Sequence, residues 1–467
     1  AASKNITVNS SATLTINKGY DLTVAGNFTN RGTVTLNSDS NEFSSLIVQG
    51  TSSGNITYNR YVNSLSGGTG WDLIGSPVNG LQISSFVSTN DAGSSPLATG
   101  NGSGQGASGE YAIGIYDPSN NSWSNYTSSN VNTTQFTPGK GYQMATDSGA
   151  TLAFTGTVDT DATETISIES FTDVSGRRWN LISNPYPSFI TLGPNSTTNT
   201  FLEVNDDIID ATYVGVYGYD ADNSNGSNYT IYNNTSSSKI APGQAFFVAA
   251  RSTDAANITF KEEMQTTSTG DDFISGDVME NTEVELRIYN NGNAVGNTKL
   301  FFDEGLTLGL NPGWDAGSYS QSAPIMTRLV EEDEGHGMAI NAMGLDAMEN
   351  AVIPLVINHA AGQEFRINLH TAMIPDPNVY LEDVEEGTFT NLYEGDFVYT
   401  PTSDLEGVGR FFIHMTADTM SNGEVSTSML NAYKEIDASY ITIEGLATQS
   451  NETKVNLYNI LGREILA

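Results

Sequence analysis

Cysteine is absent from all 467 residues. That excludes a disulfide framework and thiol chemistry, whatever the compartment. Basic residues are scarce: 18 Lys and Arg stand against 54 Asp and Glu, a formal net charge of −36. So acidic a chain is repelled by nucleic acid and by anionic membrane surfaces. It suits a soluble exterior bathed in salt or divalent cations. No apolar run reaches the roughly 18 residues a transmembrane helix requires. There are four histidines, His336, His359, His370 and His414, and none has a His-x-x-x-His partner of zinc type. They read as structural or surface residues. The chain opens Ala1-Ala2-Ser3 without Met or a secretory leader, which reads as a mature or partial chain.

What is present is a repeat. Trp71-Asp72-Leu73-Ile74-Gly75-Ser76-Pro77 returns as Trp179-Asn180-Leu181-Ile182-Ser183-Asn184-Pro185, 108 residues on. Each is a short apolar strand stopped by proline, which has no N–H to give the ladder. Tyr116-Asp117 answers Tyr219-Asp220, and Ser124-Asn125-Tyr126-Thr127 recurs as Ser227-Asn228-Tyr229-Thr230, both at an offset of 103. Pro138-Gly139-Lys140-Gly141-Tyr142 answers Pro242-Gly243-Gln244-Ala245-Phe246 at 104, and Leu152/Phe154 answer Ile258/Phe260 at 106. Landmarks in constant order at near-constant spacing mean two copies of one module. The drift in offset puts extra residues in the first copy, between Phe86 and Glu110.

The rest reads as all-β. Residues 1–60 carry apolar pairs at i, i+2 (Ile6/Val8, Leu14/Ile16, Leu22/Val24, Val34/Leu36, Leu46/Val48, Ile56/Tyr58). Their close spacing predicts the turns of a short β-solenoid, with a hairpin meander as the alternative. Residues 61–160 and 161–270 are the two copies, tandem sandwich-like domains. Residues 87–110 read as a Gly/Ser-rich surface loop. Gln265 to Asn281 lack periodicity and read as a linker. Residues 282–430 form another sandwich-like β block, in which Val352-Ile353-Pro354-Leu355-Val356-Ile357 reads as a buried strand with its proline at a bulge or edge. Residues 433–467 hold two further strands, around Ile441/Ile443 and Val455/Leu457.

Candidate chemistry is sparse. Gly102-Ser103-Gly104 fails as a nucleophile elbow, because no credible acid and His follow. The run Glu331-Glu332-Asp333-Glu334 could be read as paired catalytic carboxylates, but such pairs come from distant strands facing one cleft, and a solvated loop is the better reading. No residue is assigned a catalytic role, and the chain is not expected to be an enzyme. Asp220, Asp222 and Ser224 place oxygens at alternate positions, as calcium loops do. The glycine and glutamate of a full calcium loop are missing, so a hairpin rich in turn formers competes with that reading. Trp71 and Trp179 read as core residues rather than a sugar platform.

The duplicated Trp-(Asp/Asn)-Leu-Ile-x-(Ser/Asn)-Pro, the Pro-Gly-x-(Gly/Ala)-(Tyr/Phe) strand and the block from Leu381-Glu382-Asp383 to Arg410-Phe411 resemble the C-terminal region of large secreted proteins of Bacteroidota. The stretch from Ser439 onward, with Val455, Leu457, Tyr458, Asn459, Gly462, Arg463 and Ile465, resembles the front half of a type A C-terminal sorting domain of the type IX secretion system. That family's domain continues with a Gly-x-Tyr strand and a basic tail, and the sequence stops at Ala467 before both, so the resemblance implies either a longer chain or a signal that does not function as it stands. It also implies a small β-sandwich at this end and export through the periplasm to the cell surface or medium. The implied partners are the secretion translocon and its outer-membrane shuttle. The expected function is a non-catalytic, adhesin-type scaffold. The alternatives are the carbohydrate-binding tail of a secreted polysaccharide hydrolase and a self-assembling filament subunit.

Overall fold

The computed structural model describes residues 2–65, 70–90, 110–131, 134–171, 177–193, 199–219, 226–227, 229–268, 274–278, 283–374, 378–416, 431–433, 442–444, 457–458 and 464–466. The fold is all-β, in two compact units: Ala1–Glu280 with Pro312–Ser320, and Asn281–Asn311 with Gln321–Ala467.

The first unit opens with nine strands: β1 (Ala2–Ser3), β2 (Ile6–Val8), β3 (Thr13–Ile16), β4 (Asp21–Val24), β5 (Phe28–Asn30), β6 (Thr33–Asn37), β7 (Ser45–Val48), β8 (Ser52–Ser53) and β9 (Asn55–Val62). All their mutual ladders are parallel: β1-β4-β7, β2-β5-β8 and β3-β6-β9. This is a three-sided coil of three rungs. Thr13 faces Thr33 and Asp21 faces Ser45, so a rung takes 20 to 24 residues. Asparagine ties the rungs at their corners. Asn5 Oδ1 accepts the Asn27 N–H at 2.8 Å, and Asn27 Oδ1 accepts the Thr51 N–H at 3.1 Å. Inside lie Val8, Val24, Phe28, Leu36, Leu46, Val48, Ile56 and Tyr58.

β9 has a second role. Its other edge pairs antiparallel with β14 (below) over its whole length, Asn55↔Thr157 to Val62↔Ala150. The last strand of the coil is thus the first strand of the first copy, and one core runs through both.

The first copy continues with β10 (Asp72–Ile74), helix α1 (Ile83–Asn90), β11 (Glu110–Asp117), β12 (Ser122–Thr127), β13 (Tyr142–Met144) and β14 (Ala150–Thr157). Residues 87–90 are thus the last turn of a helix. The second comprises β15 (Thr163–Ile168), β16 (Trp179–Ser183), β17 (Phe189–Thr191), helix α2 (Phe201–Asn205), β18 (Val216–Tyr219), β19 (Tyr229–Tyr232), β20 (Ser236–Ile240), β21 (Ala245–Ala249) and β22 (Ala256–Lys261). The main sheets have one topology, β10-β13-β11-β12 and β16-β21-β18-β19. Both helices end on a buried Asn that clamps the next layer. Asn90 bonds Phe86 O and both the N–H and the carbonyl of Ala153; Asn205 does the same with Phe201 and Thr259.

The copies meet across a pseudo-two-fold seam. The Gly75 N–H donates to Gly243 O and the Ser183 N–H to Gly139 O, each at 2.8 Å. Gly75 and Ser183 are equivalent positions, and they face each other. A Cβ on Gly75 would lie 1.9 Å from Ser183 Oγ. A self-facing position in such a contact leaves room for one side chain, so one copy carries Ser and the other Gly. Gly141 and Ala245 repeat the arrangement, at 2.9 Å.

The expected linker is partly sheet. β23 (Gln265–Thr266) pairs with β17, and β24 (Ile274–Val278) pairs with β20 along Ser236–Ile240. Ladder bonds need only backbone, so an open sheet edge recruits a strand that shows no apolar period.

In the second unit one sheet curls around a single core, in the strand order 388–391, 378–383, 411–416, 352–357, 325–327, 338–343, 293–302, 283–290, 365–373, 397–399. Pro354 is on a strand paired on both sides, not at an edge. Its carbonyl accepts the Arg328 N–H at 3.0 Å. The missing return bond is replaced: Arg328 O accepts Asn341 Nδ2 at 2.9 Å. Arg410 grips the buried Asp383 through two bonds, 2.9 and 2.7 Å. Near the end, Asn431–Tyr433 pairs antiparallel with Thr442–Glu444, and Leu457–Tyr458 with Glu464–Leu466.

Candidate functional site

Alternation along a strand sends successive side chains to opposite faces of its sheet. In the first copy Ile74, Ile113, Tyr126, Tyr142 and Met144 turn inward to the core. Leu73, Gln143, Gly114 and Asn125 form one cross-strand row on the outer face, with Tyr116 opposite Trp123 beside it. In the second copy the same row is Leu181, Phe247, Tyr217 and Ile231, with Tyr219 opposite Tyr229.

That register corrects the reading of the identical Ser-Asn-Tyr-Thr segments. Tyr126 is inside the first core, whereas Tyr229 lies on the outer face. The residue equivalent to Tyr126 is Tyr232, which packs on the second core. The second hairpin is three residues longer (Tyr219 to Tyr229, against Tyr116 to Trp123). An odd slip exchanges the two faces of a strand.

The two outer faces therefore differ. That of the second copy is apolar and covered: Trp179, 4% exposed, packs on Tyr213, Tyr217 and Tyr319, and Tyr319 stacks on Tyr229 at 4.0 Å. Tyr217 Oη donates to Gly317 O at 2.7 Å. That of the first copy is mixed: Leu73 and Tyr116 are buried in one cluster with Trp179, Leu181 and Phe247, while Gln143 and Asn125 add polar, half-buried amides. Trp123 is 39% exposed and rests edge-on against Tyr116 and Phe247. Gly114 gives the row a floor without a side chain. Over it Gln143 Nε2 donates to Asn125 Oδ1 at 2.8 Å, and both residues are half-buried. The adjoining turn is closed by its own hydrogen bonds. Tyr116 Oη donates to Asn121 Oδ1 at 2.7 Å, and burial pushes that phenol up, so it stays a neutral donor. The Ser119 hydroxyl, then its N–H, hold the Asp117 carboxyl below its ordinary value. An indole surface beside neutral amides can stack and hydrogen-bond an uncharged polar ring. The signal for it was Trp123-x-Asn125-x-Thr127, alternating against the inward Tyr126.

The other candidates are scattered. Trp71 is half-buried against Leu65, Ala112 and Ala145. Neither it nor Trp179 forms a platform. His359 Nε2 meets Gln363 O at 3.0 Å and His414 Nε2 meets Glu382 Oε2 at 2.6 Å. In the acidic run Asp333 pairs with Arg328 at 2.8 Å, while Glu331, Glu332 and Glu334 are exposed. Asp220, Asp222 and Ser224 lie outside the described residues, as do Val455, Asn459, Gly462 and Arg463. Leu457, Tyr458 and Ile465 fall on the last strand pair. Among the described residues, no group of three or more His, Asp or Glu is placed to hold a metal, and no helix is long and apolar enough to cross a membrane.

The fold defines an all-β protein of parallel coil and sandwich-like modules. Within that class, the chain belongs to the family described as "Domain of unknown function (DUF8693)", whose model matches residues 1–415. No curated protein and no solved structure matches it.

Proposed function

We propose that the chain is a non-catalytic scaffold of the bacterial surface or medium, exported through the outer membrane by the type IX secretion system. The observation that carries the scaffold reading is the sharing of β9. Coil and first copy have no linker between them, and the seam bonds the second copy to the first. Such a body transmits load through ladders rather than through a hinge. The route rests on the resemblance of the stretch beginning at Ser439. Deleting Ser439 to the natural end is expected to trap the protein in the periplasm, and that complete end fused to a passenger is expected to carry it out. Normal surface delivery of the deleted form would remove the route and leave the scaffold.

A second reading, a carbohydrate-binding tail, is favoured by the exposed Trp123 beside the Gln143 and Asn125 amides of the first copy. Sugar rings stack on indole and bond to amides. Affinity electrophoresis in gels holding soluble polysaccharides tests it. Retardation lost in Trp123→Ala supports the reading; migration unaffected by every polysaccharide, or retardation unchanged by the substitution, rejects it.

A further inference from the structure

One side of the coil carries a lattice of threonine. Thr13-Leu14-Thr15, in β3, is followed one rung later by Thr33-Val34-Thr35, in β6. Leu14, Ile16, Val34 and Leu36 pack on the core, so by alternation the threonines face outward. The pairs Thr15↔Thr35, Thr35↔Thr57 and Thr57↔Thr155 run one row of threonine across β3, β6, β9 and β14. Two residues along each strand, a second row sets Thr13 opposite Thr33 and Asn55 opposite Thr157. Seven of the eight positions in these rows are threonine and none is charged. On the far side of the first row Asn37, Asn59 and Ala153 continue the uncharged face.

The lattice is open to water. Thr13, Thr15, Thr33, Thr155 and Thr157 are exposed, and Thr35 and Thr57 are half-buried between their neighbours. The Thr57 and Thr155 hydroxyls bond each other at 2.9 Å; among the described residues the other five hydroxyls bond no protein group. The remaining sides of the coil differ. One exposes Asp21, and the other offers a single hydroxyl per strand, Thr7, Thr29 and Ser53. Neighbouring strands lie about 4.8 Å apart and alternate residues about 6.6 Å apart along a strand. Threonine is branched at Cβ and stiff at χ1, so each hydroxyl and methyl is held in place before anything binds.

We propose that the threonine face of β3, β6, β9 and β14 binds the surface of an ice crystal. Its two repeats are close to those of water oxygens on a prism face of ice. Each hydroxyl both donates to and accepts from water, so the rows can continue the crystal's own hydrogen bonds. The methyl groups between them hold no competing water. A rigid array loses little freedom on docking. A charged side chain would keep its own hydration shell and interrupt the lattice, and the rows contain none. A flat polysaccharide is the rival ligand, but sugar rings stack on aromatic planes, and these rows hold no aromatic residue. The proposal depends neither on the export route nor on the Trp123 face.

The test uses the full chain. Ice is grown slowly on a cold finger from a dilute solution, and protein is measured in the ice and in the remaining liquid. The unsubstituted chain is expected to enter the ice and to slow its recrystallisation. Thr35→Lys, in the middle of the lattice, is expected to be excluded from the ice as ordinary solutes are. Thr29→Lys, on another side of the coil, is expected to behave as the unsubstituted chain does. Circular dichroism melting checks that each variant is folded; should Thr35→Lys not fold, Thr15→Lys on β3 takes its place. Exclusion of the unsubstituted chain overturns the proposal. Entry into ice that survives Thr35→Lys or Thr15→Lys places the contact elsewhere and also overturns it. Co-sedimentation with crystalline cellulose or chitin that the same substitution abolishes, without entry into ice, gives the face to polysaccharide and overturns it too.

Discussion

Replacing Gly75 by Ser probes the seam between the copies. The new Cβ would lie 1.9 Å from Ser183 Oγ, 2.4 Å from Ser183 Cβ and 2.8 Å from Lys140 O. Ser183 Oγ can rotate, but Ser183 Cβ and the Lys140 carbonyl are fixed by their backbone, so the seam must open. Overpacking of this kind costs about 1–3 kcal/mol. Opening also weakens the bonds from Gly75 N–H to Gly243 O and from Ser183 N–H to Gly139 O, both 2.8 Å. At about 1 kcal/mol each, the total comes to about 3–5 kcal/mol. Ser183→Gly alone loses the 2.9 Å bond from Ser183 Oγ to Lys140 O and gains a strand glycine, about 1.5–2 kcal/mol together. The double variant, Gly75→Ser with Ser183→Gly, again sets one serine against one glycine, with the copies exchanged. Its stability is expected to exceed that of Gly75→Ser alone, with a coupling of about 1.5–3 kcal/mol relative to additivity. Urea unfolding of the four proteins, followed by tryptophan fluorescence, measures the cycle. A coupling under about 0.5 kcal/mol, the scatter of independent sites, would refute the self-facing seam.

Trp179→Ala removes a ring that is 4% exposed and held by three tyrosines, and an expected loss of about 3–5 kcal/mol follows; a loss below about 1 kcal/mol would mark a surface role. Asn205→Ala breaks three bonds of 2.8 to 3.0 Å, and at about 1 kcal/mol each it should cost about 3 kcal/mol, with Asn90→Ala acting in the same direction; faster amide exchange at Thr259 locates the effect. The Glu164 pKa is raised above 4.5 by burial and then by Asp159. The folded form then binds that proton more tightly than the unfolded one, and the stabilisation is complete below the unfolded value and lost as pH rises through the folded value. Wild-type stability should therefore fall as pH rises from 4.5 through the raised folded value, and Glu164→Gln should flatten that slope; equal slopes in denaturant titrations would discount the contact.

Much of the architecture follows from residues close in the chain. Apolar pairs at i, i+2 between Asn and Gly corners specify strands wherever the chain ends up, and a duplicated motif keeps its fold because each copy satisfies the same local and core demands. The strands that follow or carry the paired Trp and Pro-Gly landmarks accordingly build sheets of one topology. The exposed ring was harder to see, because Trp123 and Trp179 look alike until their neighbours are counted.

By itself, then, the sequence determined the all-β class, the duplication and the lack of thiol chemistry. These depend on composition and on periods of a few residues. Tertiary structure alone decided that β9 serves both coil and copy, that an odd difference in hairpin length turns Tyr126 inward and Tyr229 outward, that Gly75 must be small because Ser183 faces it, and that Asp159 is buried against Glu164. Each joins residues whose spacing no local pattern records. Strand edges accept any backbone, and only the packed core chooses which face of a strand, and which distant partner, is buried.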